Sequence, residues 1–134
     1  MQLYESGEMY LETILMLSER GGNVRSIDIV KEMNFSKPSV SNAMKNLREG
    51  DFVDIDKDGY ITLTSKGREI AEKIYERHTV LTECLESLGV EKSVATEDAC
   101  KIEHDISDET FEAIKRHMLI YKDNRMSHGT QKKG

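Results

Sequence analysis

Cys100, Glu103 and His104 place a thiol, a carboxylate and an imidazole within one helical turn. Positions i, i+3 and i+4 of a helix share a face, so the three can address one point. Soft and hard donors together suit a first-row divalent transition ion better than calcium or magnesium, which take oxygen. The same residues also fit a packed cysteine beside a solvated Glu–His pair. Met9 and Glu12, at i and i+3 near the start of the chain, add a thioether and a second carboxylate. His78 faces out of an apolar stripe containing Ile70, Ile74 and Leu81. Each of these has an ordinary use as well: core filling for Met9, surface for Glu12, helix face for His78. A metalloenzyme would need a nearby base and an open coordination position in a cleft. The sequence has no such extra group, no phosphate loop and no nucleophile motif, so it does not read as an enzyme.

A second constellation could read nucleic acid. Ser36, Lys37, Pro38 and Ser39, followed by Ser41, Asn42 and Lys45, are small, polar or basic. Asn can pair with an adenine edge and Ser with several edges. A helix N-terminus and its hydroxyls suit phosphate oxygens. No acid occurs from Phe35 through Arg48, although acids are common elsewhere. A serine-rich helix start is also an ordinary cap, and helix-turn-helix shapes occur without DNA binding.

The elements that must position these groups follow from period and punctuation. Tyr10, Leu11, Ile14, Leu15 and Leu17 predict an amphipathic helix from Tyr4 to Glu19, ended by Gly21–Asn23. Ser26 is the expected cap of a short helix, Ile27 to Met33, with Ile27, Val30 and Met33 on one side. Ser36 precedes a third helix with Pro38 in its first turn, where the missing N–H costs nothing. Val40, Ala43, Met44 and Leu47 line its inner face, and Gly50 ends it. The period then changes. Phe52–Ile55 and Tyr60–Leu63 flank Asp58-Gly59 and predict a β-hairpin. Its tip carries Asp54, Asp56 and Asp58 around Lys57, which suits structure more than DNA contact. Thr64 caps a long helix from about Ser65 to Leu88, Thr96 a helix through Cys100 and His104, and Ser107 a last helix with Phe111, Ile114, Met118 and Tyr121 on its apolar side. The expectation is a mostly α protein: a winged helix-turn-helix over residues 1–72, a helical metal-binding and dimerisation domain over 73–122, and a flexible tail over 123–134.

Net charge of −6 across 134 residues counts against an indiscriminate nucleic-acid binder. The acidity is uneven. Residues 1–19 hold four acids and no base, whereas residues 20–74 hold ten bases against nine acids. Residues 75–122 are again acid-rich, so the charge sits mainly outside the winged helix. Mean hydropathy is −0.57, yet Leu, Ile, Val and Met recur throughout, which argues against general disorder. No apolar run approaches the roughly 20 residues of a membrane span. The N-terminus lacks a secretory pattern, and two cysteines without a CxxC point to a reduced cytoplasm.

Together these segments resemble the diphtheria-toxin-repressor family of metal-dependent transcriptional repressors, which includes iron-dependent regulators and the shorter manganese transport regulators. The resemblance covers Glu8 through about Ser107. It rests on Glu8–Ile14 (EMYLETI), Ser36–Asn42 (SKPSVSN), Leu63–Gly67 (LTSKG), Arg77-His78 and Asp98–Ser107 (DACKIEHDIS). It implies a homodimer that binds a palindromic operator in double-stranded DNA. In iron-type members the activating site corresponds to Met9, Cys100, Glu103 and His104. Manganese-type members have Asp at the Met9 position and Glu at the Cys100 position. The chain therefore resembles the manganese type in length, without an SH3-like domain, and the iron type in ligands. Sulfur donors favour Fe(II), Co(II), Ni(II) or Zn(II) over Mn(II), so Fe(II) is the expected effector and Mn(II) the alternative. Thr82 stands where the iron-type second site would have Glu, and Thr96 stands near a second expected His. The manganese-type second site corresponds to Glu12, His78 and Glu103, all present. A metal-independent winged-helix adaptor is the competing reading.

Overall fold

The computed structural model describes residues 5–132. The order is α1 (Glu5–Glu19), α2 (Ser26–Met33), α3 (Lys37–Glu49), β1 (Val53–Ile55), β2 (Ile61–Leu63), α4 (Ser65–Ser87), α5 (Lys92–Ile102) and α6 (Asp108–Lys132). The mostly α, winged-helix expectation holds. No helix among the described residues is long and apolar enough to cross a membrane. The chain divides into two compact units after Tyr75, within α4.

In the first unit the apolar stripe of α1 supplies Tyr10, Leu11, Ile14 and Leu15 to a core completed by Ile29, Val40, Met44, Leu47, Phe52, Val53 and Ile61. Burying each large aliphatic side chain contributes about 1.5–3 kcal/mol. The α2–α3 turn is made by Asn34 in the left-handed region (φ 58), a conformation Asn tolerates. Two details of α2 differ from expectation. Its N-cap is Arg25, whose backbone N–H donates to Asp28 Oδ2 at 2.9 Å, so Ser26 lies inside the helix. Its fully buried residue is Ile29; Val30 and Met33 are partly buried and Ile27 is exposed. Docking against α1 and α3 has chosen a face one residue away from the strict pattern.

The wing is an antiparallel hairpin with Val53 opposite Leu63 and Ile55 opposite Ile61. Val24 extends it by accepting from Ile61 N at 2.7 Å. Asp56 builds the turn: its Oδ1 accepts from Asp58 N and Tyr60 N, both at 2.9 Å, and Gly59 takes φ +85. Thr64 caps α4 as expected, its Oγ1 accepting from Gly67 N at 3.0 Å and donating to Asp51 O at 2.7 Å. At Gly67 a Cβ would stand 2.0 Å from Phe52 O, so the wing and the start of α4 approach as only glycine permits.

In the second unit α5 begins at Lys92, earlier than the expected Thr96. Gly89 (φ +97) ends α4 and Glu91 already has the extended backbone of an N-cap, so the helix starts there and buries Ala95 and Ala99. Ser107 caps α6, accepting from Thr110 N at 3.1 Å. On α6, Phe111 and Met118 are buried as predicted and Ile114 is half-buried, but Tyr121 is exposed because α6 turns its outer side to solvent there. Helical backbone continues past Lys122, where a tail was expected, as far as Lys132. Extending a formed helix needs no new nucleus, so a polar segment can follow.

Candidate metal centre and nucleic-acid face

On α3 the predicted residues share one side. Ser36, Lys37, Pro38, Ser39, Ser41, Asn42 and Lys45 are all exposed, while Val40, Met44 and Leu47 hold the opposite side in the core. Ser36 Oγ accepts from Ser39 N at 3.2 Å and donates to Ser39 Oγ at 2.8 Å. Ser36 O accepts from Val40 N at 3.1 Å, and Pro38 has no N–H. The helix start therefore has few amides to offer an anion. The groups left exposed on this side are the Lys37 and Lys45 ammoniums, the serine hydroxyls and the Asn42 amide. Sequence reasoning missed Arg25, whose guanidinium lies 4.4 Å from the centroid of Tyr60 on the wing. Nothing local marks that contact.

Met9 and Glu12 lie on α1 in the first unit, Met9 half-buried and Glu12 buried. The peptide between them is regular helix, with Thr13 Oγ1 donating to Met9 O at 2.9 Å. Tyr10 stacks edge-on against Phe35 at 5.9 Å, and burial pushes its phenol above the ordinary value.

In the second unit three of the predicted ligands converge. Glu103 has 0% exposure. His78 Nδ1, from α4, lies 3.1 Å from Glu103 Oε2. His104 Nε2 lies 3.5 Å from Glu103 Oε1, beyond hydrogen-bond contact, and its side chain is 1% exposed. Glu103 Oε1 has no hydrogen-bond partner among the described residues. Cys100 stands one turn earlier on α5, half-buried. Glu103 caps the C-terminus of α5 with helical dihedrals (φ −59, ψ −25), so the i, i+3, i+4 relation persists beyond the last regular residue.

A carboxylate taken from water costs several kcal/mol unless charge and hydrogen bonds replace the lost hydration. Two imidazoles are modest compensation, and one oxygen lacks a hydrogen bond. A divalent cation meets that demand, and carboxylate, imidazole and thiolate are the donors such an ion takes. The residues of the second unit fit a transition metal. Thr82 Oγ1 is buried without a hydrogen bond among the described residues.

Arg77 was not predicted as a site residue beyond its place in the resemblance. It is buried, donating from Nη1 to Glu103 O at 3.1 Å and to Ile106 O at 2.7 Å, and from Nη2 to Asp108. An arginine placed on the inner side of a helix, directly before a candidate ligand, was the available signal.

Two family models match the chain. One, described as iron dependent repressor, N-terminal DNA binding domain, matches residues 2–61. The other, iron dependent repressor, metal binding and dimerisation domain, matches residues 64–129. An uncharacterized HTH-type transcriptional regulator of Methanocaldococcus jannaschii, MJ0568, is 37% identical over 121 residues, covering 89% of this chain and 97% of that protein. The transcriptional regulator MntR of Escherichia coli O157:H7 is 30% identical over 106 residues, covering 79% and 68% respectively. Among solved structures, the manganese regulator SloR superposes with a TM-score of 0.75 at 30% identity, covering 89% of this chain. The chain spans 55% of the SloR chain.

Proposed function

The chain belongs to the iron-dependent repressor family, and on that premise we propose that it is a metal-activated transcriptional repressor that binds a palindromic operator as a homodimer in the cytoplasm. The carrying observation is the fully buried Glu103 carboxylate, flanked by His78 and His104, with one oxygen lacking a hydrogen bond. The proposed ligands are Cys100, Glu103, His104 and His78 from the second unit, with Met9 and Glu12 contributed by α1. A bound dication supplies the positive charge that the carboxylates and thiolate otherwise lack. His78 Nδ1 holds the Glu103 carboxylate at 3.1 Å with His104 beside it, and α1 carries Met9 and Glu12 on the same core that supports α3. Completing that ligand set narrows the ensemble toward one in which two α3 helices match the half-site spacing of an operator.

Fe(II) is the favoured effector because Met9 and Cys100 bring sulfur. Mn(II) is the second reading. SloR is a manganese regulator at 30% identity, and the Glu12–His78–Glu103 set is oxygen- and nitrogen-only. Co(II), Ni(II) and Zn(II) are expected to substitute in vitro. Operator binding titrated with Fe(II) under anaerobic conditions, beside Mn(II), tests both. The proposal expects tight binding only with metal, and loss of response in the Cys100→Ala, His104→Ala double variant. Metal-independent binding would instead favour the adaptor reading.

A further inference from the structure

We infer that Arg77 is a positioning residue for the metal centre, holding the backbone of Glu103 so that its carboxylate remains available to a cation. This rests on the metal reading above. A buried guanidinium close to a buried carboxylate would ordinarily form a bidentate ion pair. Here it does not. Arg77 spends Nη1 on the carbonyls of Glu103 and Ile106 and Nη2 on the Asp108 carboxylate. The Glu103 side chain is left to His78 Nδ1 and the neighbourhood of His104. Two consecutive residues of α4 thus divide one residue between them, Arg77 taking its backbone and His78 its side chain.

The geometry explains why arginine is needed. The carbonyls at 103 and 106 lie beyond the last regular turn of α5, where helix carbonyls lack intrahelical donors. A planar fork can hold both and still reach Asp108 at the start of α6, whereas a lysine ammonium on a flexible stem cannot reproduce that fixed set. Phe111 backs the guanidinium at 5.4 Å from its ring centroid. Asp108, 71% exposed, balances the arginine charge from the solvent side. The positive charge is therefore already neutralised and does not claim the Glu103 carboxylate. Without the fork, the turn from Glu103 to Ile106 loses its anchor and the Glu103 and His104 side chains lose their mutual placement.

The experiment compares the full-length protein with its Arg77→Lys and Asp108→Asn variants. Co(II) titration is followed by the d–d and thiolate charge-transfer bands, and thermal unfolding is recorded in chelator. A role in positioning predicts Co(II) affinity weakened roughly 10- to 100-fold in Arg77→Lys, in the range seen when groups behind a ligand are changed. It also predicts altered d–d band energies and intensities. Asp108→Asn keeps the arginine and leaves an exposed amide, so a smaller weakening is expected and folding is preserved even if Arg77→Lys fails to fold. Unchanged Co(II) affinity and spectrum in Asp108→Asn, together with a merely lowered metal-free unfolding midpoint in Arg77→Lys, would overturn the positioning role and leave the metal centre standing. Absence of Co(II) binding by the unmodified protein would overturn the metal reading and the inference with it.

Discussion

The outward face of α3 and the pocket around Glu103 are both polar, but they are built on opposite terms. On α3 every candidate side chain is exposed, and the inner face of the same helix is ordinary core. At Glu103 the functional group is buried completely and depends on neighbours 25 and 26 residues away in sequence. Apart from the cap Ser36, the first face can change without disturbing the fold. In the second, a buried carboxylate with one unsatisfied oxygen is also the proposed ligand, so stability and the proposed function share the same atoms. Polar residues exposed on a packed support are available to a partner. Polar residues buried with incomplete compensation mark where a missing charge belongs.

The contrast can be broken most directly at Glu103. Glu103→Gln removes the central anionic donor, and metal affinity should fall by more than the roughly 100-fold seen for groups behind a ligand. Calorimetric titration with Co(II) or Mn(II) measures it. In chelator the same variant should unfold at a higher temperature, because the amide removes a buried negative charge that its neighbours compensate incompletely. A lower metal-free midpoint would mean that the carboxylate is a structural ion-pair partner and the contrast is false.

Asn42→Ala probes the other side. Operator affinity should drop by about 1–3 kcal/mol at one base pair. Unfolding stability should stay within about 0.5 kcal/mol of the parent. Ser36→Ala sharpens the boundary, since Ser36 caps the helix that it also presents. It should cost roughly 1 kcal/mol of stability in denaturant unfolding. Lys37→Ala and Lys45→Ala should each weaken binding evenly across operator sequences and reduce the salt slope by about 1, with no change in metal affinity.

What was legible in the sequence follows the same division. The change from helical to alternating period revealed the wing, and Ser36, Thr64 and Ser107 announced helix starts because a cap acts on an amide three residues away. The exposed face of α3 was readable because its inner face is strictly periodic. The start of α2 was misplaced by one residue because Asp28 caps backward onto the Arg25 N–H, so Ser26 was never the decisive oxygen. The start of α5 escaped because Glu91 makes no side-chain cap bond. Cys100, Glu103 and His104 were found together because their relation is local. For Arg77 the only signal was its place directly before His78; the proposed role joins α4 to a turn 26 to 31 residues away, which tertiary packing defines. Acidity at the wing tip was likewise ambiguous until Asp56 proved to be occupied by two backbone amides.

The start of α3 has a consequence for how such a regulator can diverge. Pro38 contributes no N–H, and the amides of Ser39 and Val40 are already donated to Ser36. Under the proposed reading, recognition at that end falls mainly to interchangeable side chains rather than to main-chain groups every sequence possesses. A duplicated copy could therefore drift to a new operator through replacements on that exposed face while its effector response stayed intact, so target genes and sensed signal are free to evolve separately.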